Sequence, residues 1–236
     1  MNNRETNFKQ RLTLSFQVIL IFLIVMTAVG FSFKYFADDK TNEKMVRLER
    51  NLNELRAALN SDSIREYNIQ KIMAIIDNFN KNISSNQKYE IANEIYNMSI
   101  KYDNLDIDLI CATITHESAM TWDPKVKSDA GAMGLMQIMP ATGMYVASYE
   151  DITWTTAEDV LYNSIYNIRI GCRYLSSLIE FFNNDVDAGL AAYNGGQKQA
   201  ALWVASGKSD GILWAETSIY VPAILKLYLE YQSLNI

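Results

Sequence analysis

The sequence predicts a mainly α-helical protein, and three features carry that prediction. Only 3 prolines and 10 glycines interrupt 236 residues, so few points force the chain out of a helix. Apolar residues recur at three- and four-residue steps along much of its length. No long apolar–polar alternation, the mark of a half-buried strand, stands out. The chain carries a formal net charge of −6, with a pI near 4.9. That balance leaves no basic face for a polyanion, so nucleic acid is excluded as a partner.

The N-terminal elements come first. Residues 1–11 hold Arg4, Lys9 and Arg11 and read as a short tail before the apolar segment. Residues 12–33, Leu12 to Phe33, contain no charged side chain, and Gln17 is the one strongly polar residue. As a helix this segment spans about 33 Å, enough for a bilayer core. It reads as a single-pass transmembrane anchor. Ala28-Val29-Gly30 has the small-x-small form of a signal-peptide cleavage site. The apolar run is longer than a usual signal core and continues past that site to Phe31 and Phe33. An uncleaved anchor is therefore the expectation. Lys34, Lys40, Lys44 and Arg47 beyond it match the basic residues before it, so charge does not fix the orientation.

Residues 34–86 read as a helical stalk and linker. Met45, Leu48, Leu52, Leu55 and Leu59 form a heptad seam flanked by charged residues, and Asp62 breaks its register. Two readings stay open. The seam is a short coiled-coil stalk, or it belongs to an amphipathic helix packing on its own domain or on the next helix, Ile64 to Phe79. Lys81 to Asn86 reads as a polar linker.

Residues 87–236 form the predicted globular domain. Ile91, Ile95, Met98 and Tyr102 give Tyr89 to Tyr102 a helical period. Asp106 can cap a second helix, Ile107 to about Ser118, whose Leu109, Ile110, Ala112 and Ile114 predict burial. A loop with Pro124 and a glycine-rich segment follow, and Pro140 opens another helix. Ile165 to Phe182 carries Ile168, Cys172, Leu175, Ile179 and Phe182 on one face. Ala188 to Tyr193 is a short helix stopped by Asn194-Gly195-Gly196. Ile219 to Tyr231 is the last. Cys111 and Cys172, the only cysteines, fall on helices expected to be buried, and two free thiols are expected rather than a disulfide.

A lone helical glutamate is ordinarily a solvated surface group, but Glu117 has a setting that alters its chemistry. It ends an apolar helix, where the helix dipole disfavours negative charge. Burial against Met120 or Trp122 would raise its pKa further. A carboxylic acid that stays protonated can donate to a glycosidic oxygen. His116-Glu117 begins a zinc-protease motif, but residue 120 is Met and the chain has 1 histidine, so no metal is expected. Ser118 beside His116 is no hydrolase pair, because adjacent helical residues do not face each other. Asp123 and Asp129 are the nearest candidates for a second carboxylate.

Four blocks decide between the readings of Glu117. They are Thr115-His116-Glu117-Ser118, Gly131 to Gln137 (GAMGLMQ), Ala192-Tyr193-Asn194-Gly195-Gly196, and Glu216-Thr217-Ser218-Ile219-Tyr220-Val221. In this order they resemble the catalytic domain of soluble-lytic-transglycosylase-type enzymes, over roughly residues 87 to 228. The resemblance implies a lysozyme-like fold, peptidoglycan glycan strands as substrate, and no cofactor. It implies that Glu117 serves as acid and then as base, closing a 1,6-anhydro ring on N-acetylmuramic acid. The substrate's N-acetyl oxygen then stands in for the missing second carboxylate. Ser118, Gln137, Tyr193 and Asn194 are implied at the substrate, with Tyr220 holding Glu117. On their own, Tyr193 and Tyr220 also read as core aromatics, and Asn194 as a helix cap.

Such a domain must face the wall. The resemblance thus orients the anchor in the cytoplasmic membrane, with the domain in the periplasm or at the cell wall. The membrane is a partner through the apolar segment, and service in wall remodelling, in secretion or conjugation machinery, or in a phage stays open. Three departures from the family pattern stand out. The loop from Glu117 to Pro124 is about two residues longer. The usual Ala-Tyr-Asn-Ala-Gly-Pro-Gly becomes Ala192 to Lys198 without its proline. Cys111 and Cys172 replace small residues. Two rival readings follow: a hydrolysing muramidase using Asp123 or Asp129, and a non-catalytic wall-binding scaffold of an envelope machine.

Overall fold

The computed structural model describes the backbone of residues 3–234 and the side chains of residues 20–32 and 44–234. Among the described residues the only extended pairing is two isolated bridges, Lys127 with Met133 and Met133 with Ile138. The mainly α prediction holds. The chain divides into two compact units, residues 1–62 and 63–236.

Helix α1, Asn3–Phe79, runs through the first unit. Leu20, Phe22, Ile24, Met26 and Phe31 are all at least half exposed there. Among the described residues, no helix is long and apolar enough to cross a membrane. The expected tail, residues 1–11, lies outside the described side chains, as do residues 12–19 and Phe33 of the expected anchor.

The second unit starts with the last turns of α1. Ile69, Ile72, Ile75 and Ile76 are buried and recur on one helical face. These turns thus pack into the same core as residues beyond 87. Lys71 and Asp108, 2.8 Å apart, join α1 to the helix that ends at Glu117. Helix α2, Ser85–Lys101, begins inside the stretch expected as a linker. Ser84 and Gln87 form a capping box there, which starts the helix early. Helix α3, Ile107–Glu117, starts where Asp106 accepts a hydrogen bond from the Leu109 N–H at 2.8 Å. Residues 109–115 are buried on every side, as the apolar run predicts.

Helix α4, Pro140–Ala147, has its proline in the first turn. Helix α5, Ala157–Leu161, and helix α8, Gln197–Ala205, were not expected. Helix α6, Ser164–Phe181, matches the expected long helix, with Asn163 as its cap. Helix α7, Val186–Gly195, is capped by Asp185. Helix α9, Ala215–Gln232, packs on α3 and starts four residues before the expected Ile219. That earlier start puts Glu216 and Thr217 in its first turn. Cys111 and Cys172 are both buried and free, as expected. Burial pushes both thiols well above the ordinary range.

Buried Asn167 on α6 pins the glycine-rich segment. Its amide donates to the Met133 and Leu161 carbonyls, each at 2.9 Å, and its oxygen accepts from the Met136 N–H at 2.8 Å. Gly134, at φ +80°, passes so close that an added Cβ would sit 2.2 Å from the Leu161 carbonyl oxygen. Glycine alone fits both that backbone and that gap.

Candidate active site

Helix α3 delivers Glu117 on its last turn, and the chain then reverses tightly. Ala119, Met120 and Trp122 all have positive φ, between 51° and 62°. Three non-glycine residues in the left-handed region are costly, at about 1–3 kcal/mol each, so other contacts must hold the turn. The Ser118 hydroxyl accepts from the Trp122 N–H at 3.0 Å. Thr121 donates to the Ser118 carbonyl at 2.6 Å. Trp122 is fully buried, and its indole N–H donates to the Thr115 hydroxyl at 3.0 Å. Thr115 in turn meets the Tyr231 hydroxyl at 3.0 Å. The longer loop is therefore nailed to the underside of α3. Of the two neighbours expected to bury Glu117, Trp122 is enclosed and Met120 is 47% exposed.

Glu117 meets Tyr220 from α9, whose hydroxyl donates to Oε1 at 2.6 Å. Burial pushes the Glu117 carboxyl up to about 7. The Tyr220 hydrogen bond works against that rise, and the charge of Glu216 adds to it. Tyr220 is 3% exposed. Burial, then the charge on Glu117, raises its hydroxyl well above the ordinary value. It stays a donor throughout the pH range in which Glu117 titrates. His116 packs edge-on against Tyr220, with ring centroids 4.9 Å apart. Burial lowers its pKa against the opposing pull of Glu216. It is therefore a neutral ring under Tyr220 near pH 7.

The remaining predicted residues surround this pair in different ways. Tyr193 donates to the Met136 carbonyl at 2.8 Å, tying α7 to the glycine-rich segment. Its pKa is raised well above the ordinary value, first by burial and then by the charge of Glu117. Asn194 accepts from the Thr217 hydroxyl at 2.6 Å and donates to Glu216 at 3.3 Å. Gln137 has positive φ, and its amide donates to the Gly134 carbonyl at 2.9 Å and the Val126 carbonyl at 3.2 Å. Its amide hydrogens are thereby used, and its carbonyl oxygen keeps acceptor capacity. Ser118 is fully buried, with its hydroxyl engaged inside the turn.

Sequence reasoning missed Glu216, although the block containing it was recognised. It lies four residues before Tyr220, so the two share a helix face. Starting the last helix at Ile219 left it in a loop. Asp123 and Asp129 are both exposed. Asp123 accepts from the Lys125 N–H at 2.9 Å, and neither aspartate is among the groups that shift Glu117. Among the described residues, no group of three or more His, Cys, Asp or Glu converges as a metal site would. The chemistry on offer is a single carboxyl that can both give and take a proton near neutral pH.

Comparison with known proteins adds to this geometry. The transglycosylase SLT domain family matches residues 94–213, just over half of the chain. The soluble lytic murein transglycosylase of Escherichia coli is 36% identical over 108 residues, which cover 45% of this chain and 16% of that protein. A solved complex of the 70-kDa soluble lytic transglycosylase with bulgecin A has a TM-score of 0.54 at 30% identity, covering 61% of this chain and 24% of that one. An inactive glutamate-to-glutamine mutant of the lytic transglycosylase Slt of Pseudomonas aeruginosa has a TM-score of 0.51 at 26% identity, covering 58% and 23%. The chain thus spans a quarter or less of the length of these relatives.

Proposed function

We propose that this chain, which belongs to the transglycosylase SLT domain family, is a peptidoglycan lytic transglycosylase. It cleaves the β-1,4 bond between N-acetylmuramic acid and N-acetylglucosamine. The observation that carries this reading is Glu117, with a pKa of about 7 and Tyr220 bonded to its carboxyl. Protonated Glu117 donates to the glycosidic oxygen as the bond from C1 breaks, and the substrate's N-acetyl oxygen steadies C1. The carboxylate left behind takes the proton from the C6 hydroxyl. That oxygen closes on C1 to form the 1,6-anhydro ring. Glu117 ends protonated, and no water is consumed.

The two steps need opposite protonation states of one residue, and a pKa near the working pH gives access to both. Burial keeps the acid loaded. Tyr220 offers its hydrogen bond to the carboxylate that the first step creates. The Gln137 carbonyl oxygen and the Asn194–Glu216 pair supply polar contacts for the sugar, and Tyr193 supplies an aromatic wall. Ser118 acts from within the turn, where its buried hydroxyl accepts from the Trp122 N–H instead of facing the sugar. The inactive glutamate-to-glutamine mutant of the Pseudomonas relative supports an essential glutamate in this family.

A hydrolysing muramidase would need a second carboxylate near Glu117. Asp123 and Asp129, the candidates for it, are both exposed, and neither is among the groups that shift Glu117. A purely scaffolding role has no use for an acid tuned to about 7.

The uncharged segment Leu12 to Phe33 is taken as the membrane anchor, supported by the exposed apolar surface from Leu20 to Phe31. Residues 1–11 are then cytoplasmic, residues 34–62 are the stalk, the last turns of α1 belong to the folded unit, and residues 87–236 carry the catalytic blocks. The domain works in the periplasm or at the wall, alone or within secretion, conjugation or phage machinery. Glu117→Gln tests the assignment: activity on purified peptidoglycan should fall by at least about a hundredfold. Activity within a few-fold of the parent would remove Glu117 from the mechanism.

A further inference from the structure

The seam on α1 in the first unit has no covering element within that unit. Met45, Leu48, Leu52 and Leu55 are 53%, 54%, 46% and 56% exposed on one continuous helix. Their spacing puts Met45 and Leu52 at the first core position of a heptad and Leu48 and Leu55 at the second. Leu59 continues the register, and Asp62 at the next core position ends it. Arg47, Arg50 and Glu54 take outer positions, away from the seam. Apolar stripes of this kind, left open along a helix, mark an interaction surface.

We propose that this stretch pairs in parallel with the same stretch of a second copy of this chain. Self-pairing is the occupant that the charges favour. In a parallel pair, residues flanking the core meet across the interface five positions apart. Lys44 of each copy then lies beside Glu49 of the other, once on each side of the seam. Among the described residues, neither Lys44 nor Glu49 has an ion pair within its own chain. An antiparallel pair on the same four core residues brings the two Glu49 carboxylates together instead. Parallel alignment also sets each apolar residue against its own counterpart, with Asp62 past the last layer. The seam holds only about two heptads of core residues, so pairing is weak and concentration-dependent. The proposal does not depend on the glycan-cutting reading.

Cysteine crosslinking of the full chain in extracts of expressing cells tests it. Cys111 and Cys172 are fully buried, so the parent gives no background. Leu48→Cys and Leu55→Cys should each give a covalent dimer on mild oxidation, at least tenfold above Arg50→Cys on the opposite face. Adding Leu52→Asp to Leu48→Cys should bring the yield down to that control. Lys44→Glu should lower the yield, and Lys44→Glu combined with Glu49→Lys should restore it. Yields equal to the Arg50→Cys control overturn the proposal. So does crosslinking seen only when Leu48→Cys and Leu52→Cys chains are mixed, the mark of antiparallel pairing.

Discussion

Glu117 is held where folding and chemistry pull in opposite directions. Its carboxyl titrates near 7 in the folded chain against an ordinary 4.5. Between those values the folded state binds more protons than the unfolded state, so stability falls as pH rises from 4.5 towards 7. Below that window both states are protonated and Glu117 costs nothing. Above it the cost is complete, roughly 3 kcal/mol at 1.36 kcal/mol per unit. Glu117→Gln should therefore be more stable than the parent above pH 7, by up to about 3 kcal/mol, with the gap closing towards pH 4.5. Denaturant melts of both proteins across that range check it; a gap independent of pH would show that Glu117 is not strained. Tyr220→Phe removes the hydrogen bond that favours the carboxylate, so the Glu117 pKa should rise further. The alkaline limb of the activity profile should move to higher pH while the maximal rate drops about tenfold or more. A limb that stays in place would separate Tyr220 from the titration of Glu117.

At the scale of elements, the site depends on two loops held by buried polar side chains. Asn167→Ala would leave the Met136 N–H and the Met133 and Leu161 carbonyls without partners. The loss should be about 3–5 kcal/mol, read by thermal or denaturant unfolding, and a cost under 1 kcal/mol would contradict the pinning role. What the sequence reveals of these elements follows their signals. Helix α3 is legible because Asp106 caps it and its apolar residues run unbroken. Helix α6 is legible from its apolar stripe. Helices α5 and α8 are not, because 5 and 9 residues are too few for a clear period. The start of α9 is hidden because Trp214, its cap residue, makes no side-chain cap bond, and Glu216 was lost with it. The pairing of Glu117 with Tyr220, 103 residues apart, is beyond periodicity and came from the family blocks. The role of Ser118 in bracing a left-handed turn is likewise set by tertiary contacts around Trp122 that no local pattern encodes.

For the whole molecule, the boundary of the folded unit matters most. Ile69, Ile72, Ile75 and Ile76 are at most 1% exposed. Removing four such side chains would forfeit about 6–12 kcal/mol of burial, an upper figure. A fragment from Ser63 to Ile236 should fold and cut glycan, whereas one starting at Gln87 should melt far lower or aggregate. Equal melting temperatures for the two would show that the last turns of α1 are dispensable. The claim on which the rest depends is that one carboxyl, without a hydrolytic partner, performs the cleavage. Mass spectrometry of the products released from purified peptidoglycan in heavy-oxygen water tests it most directly. The account predicts muropeptides ending in 1,6-anhydro-N-acetylmuramic acid, one water lighter than hydrolysis products and free of the label. Reducing ends that carry the heavy oxygen would contradict it.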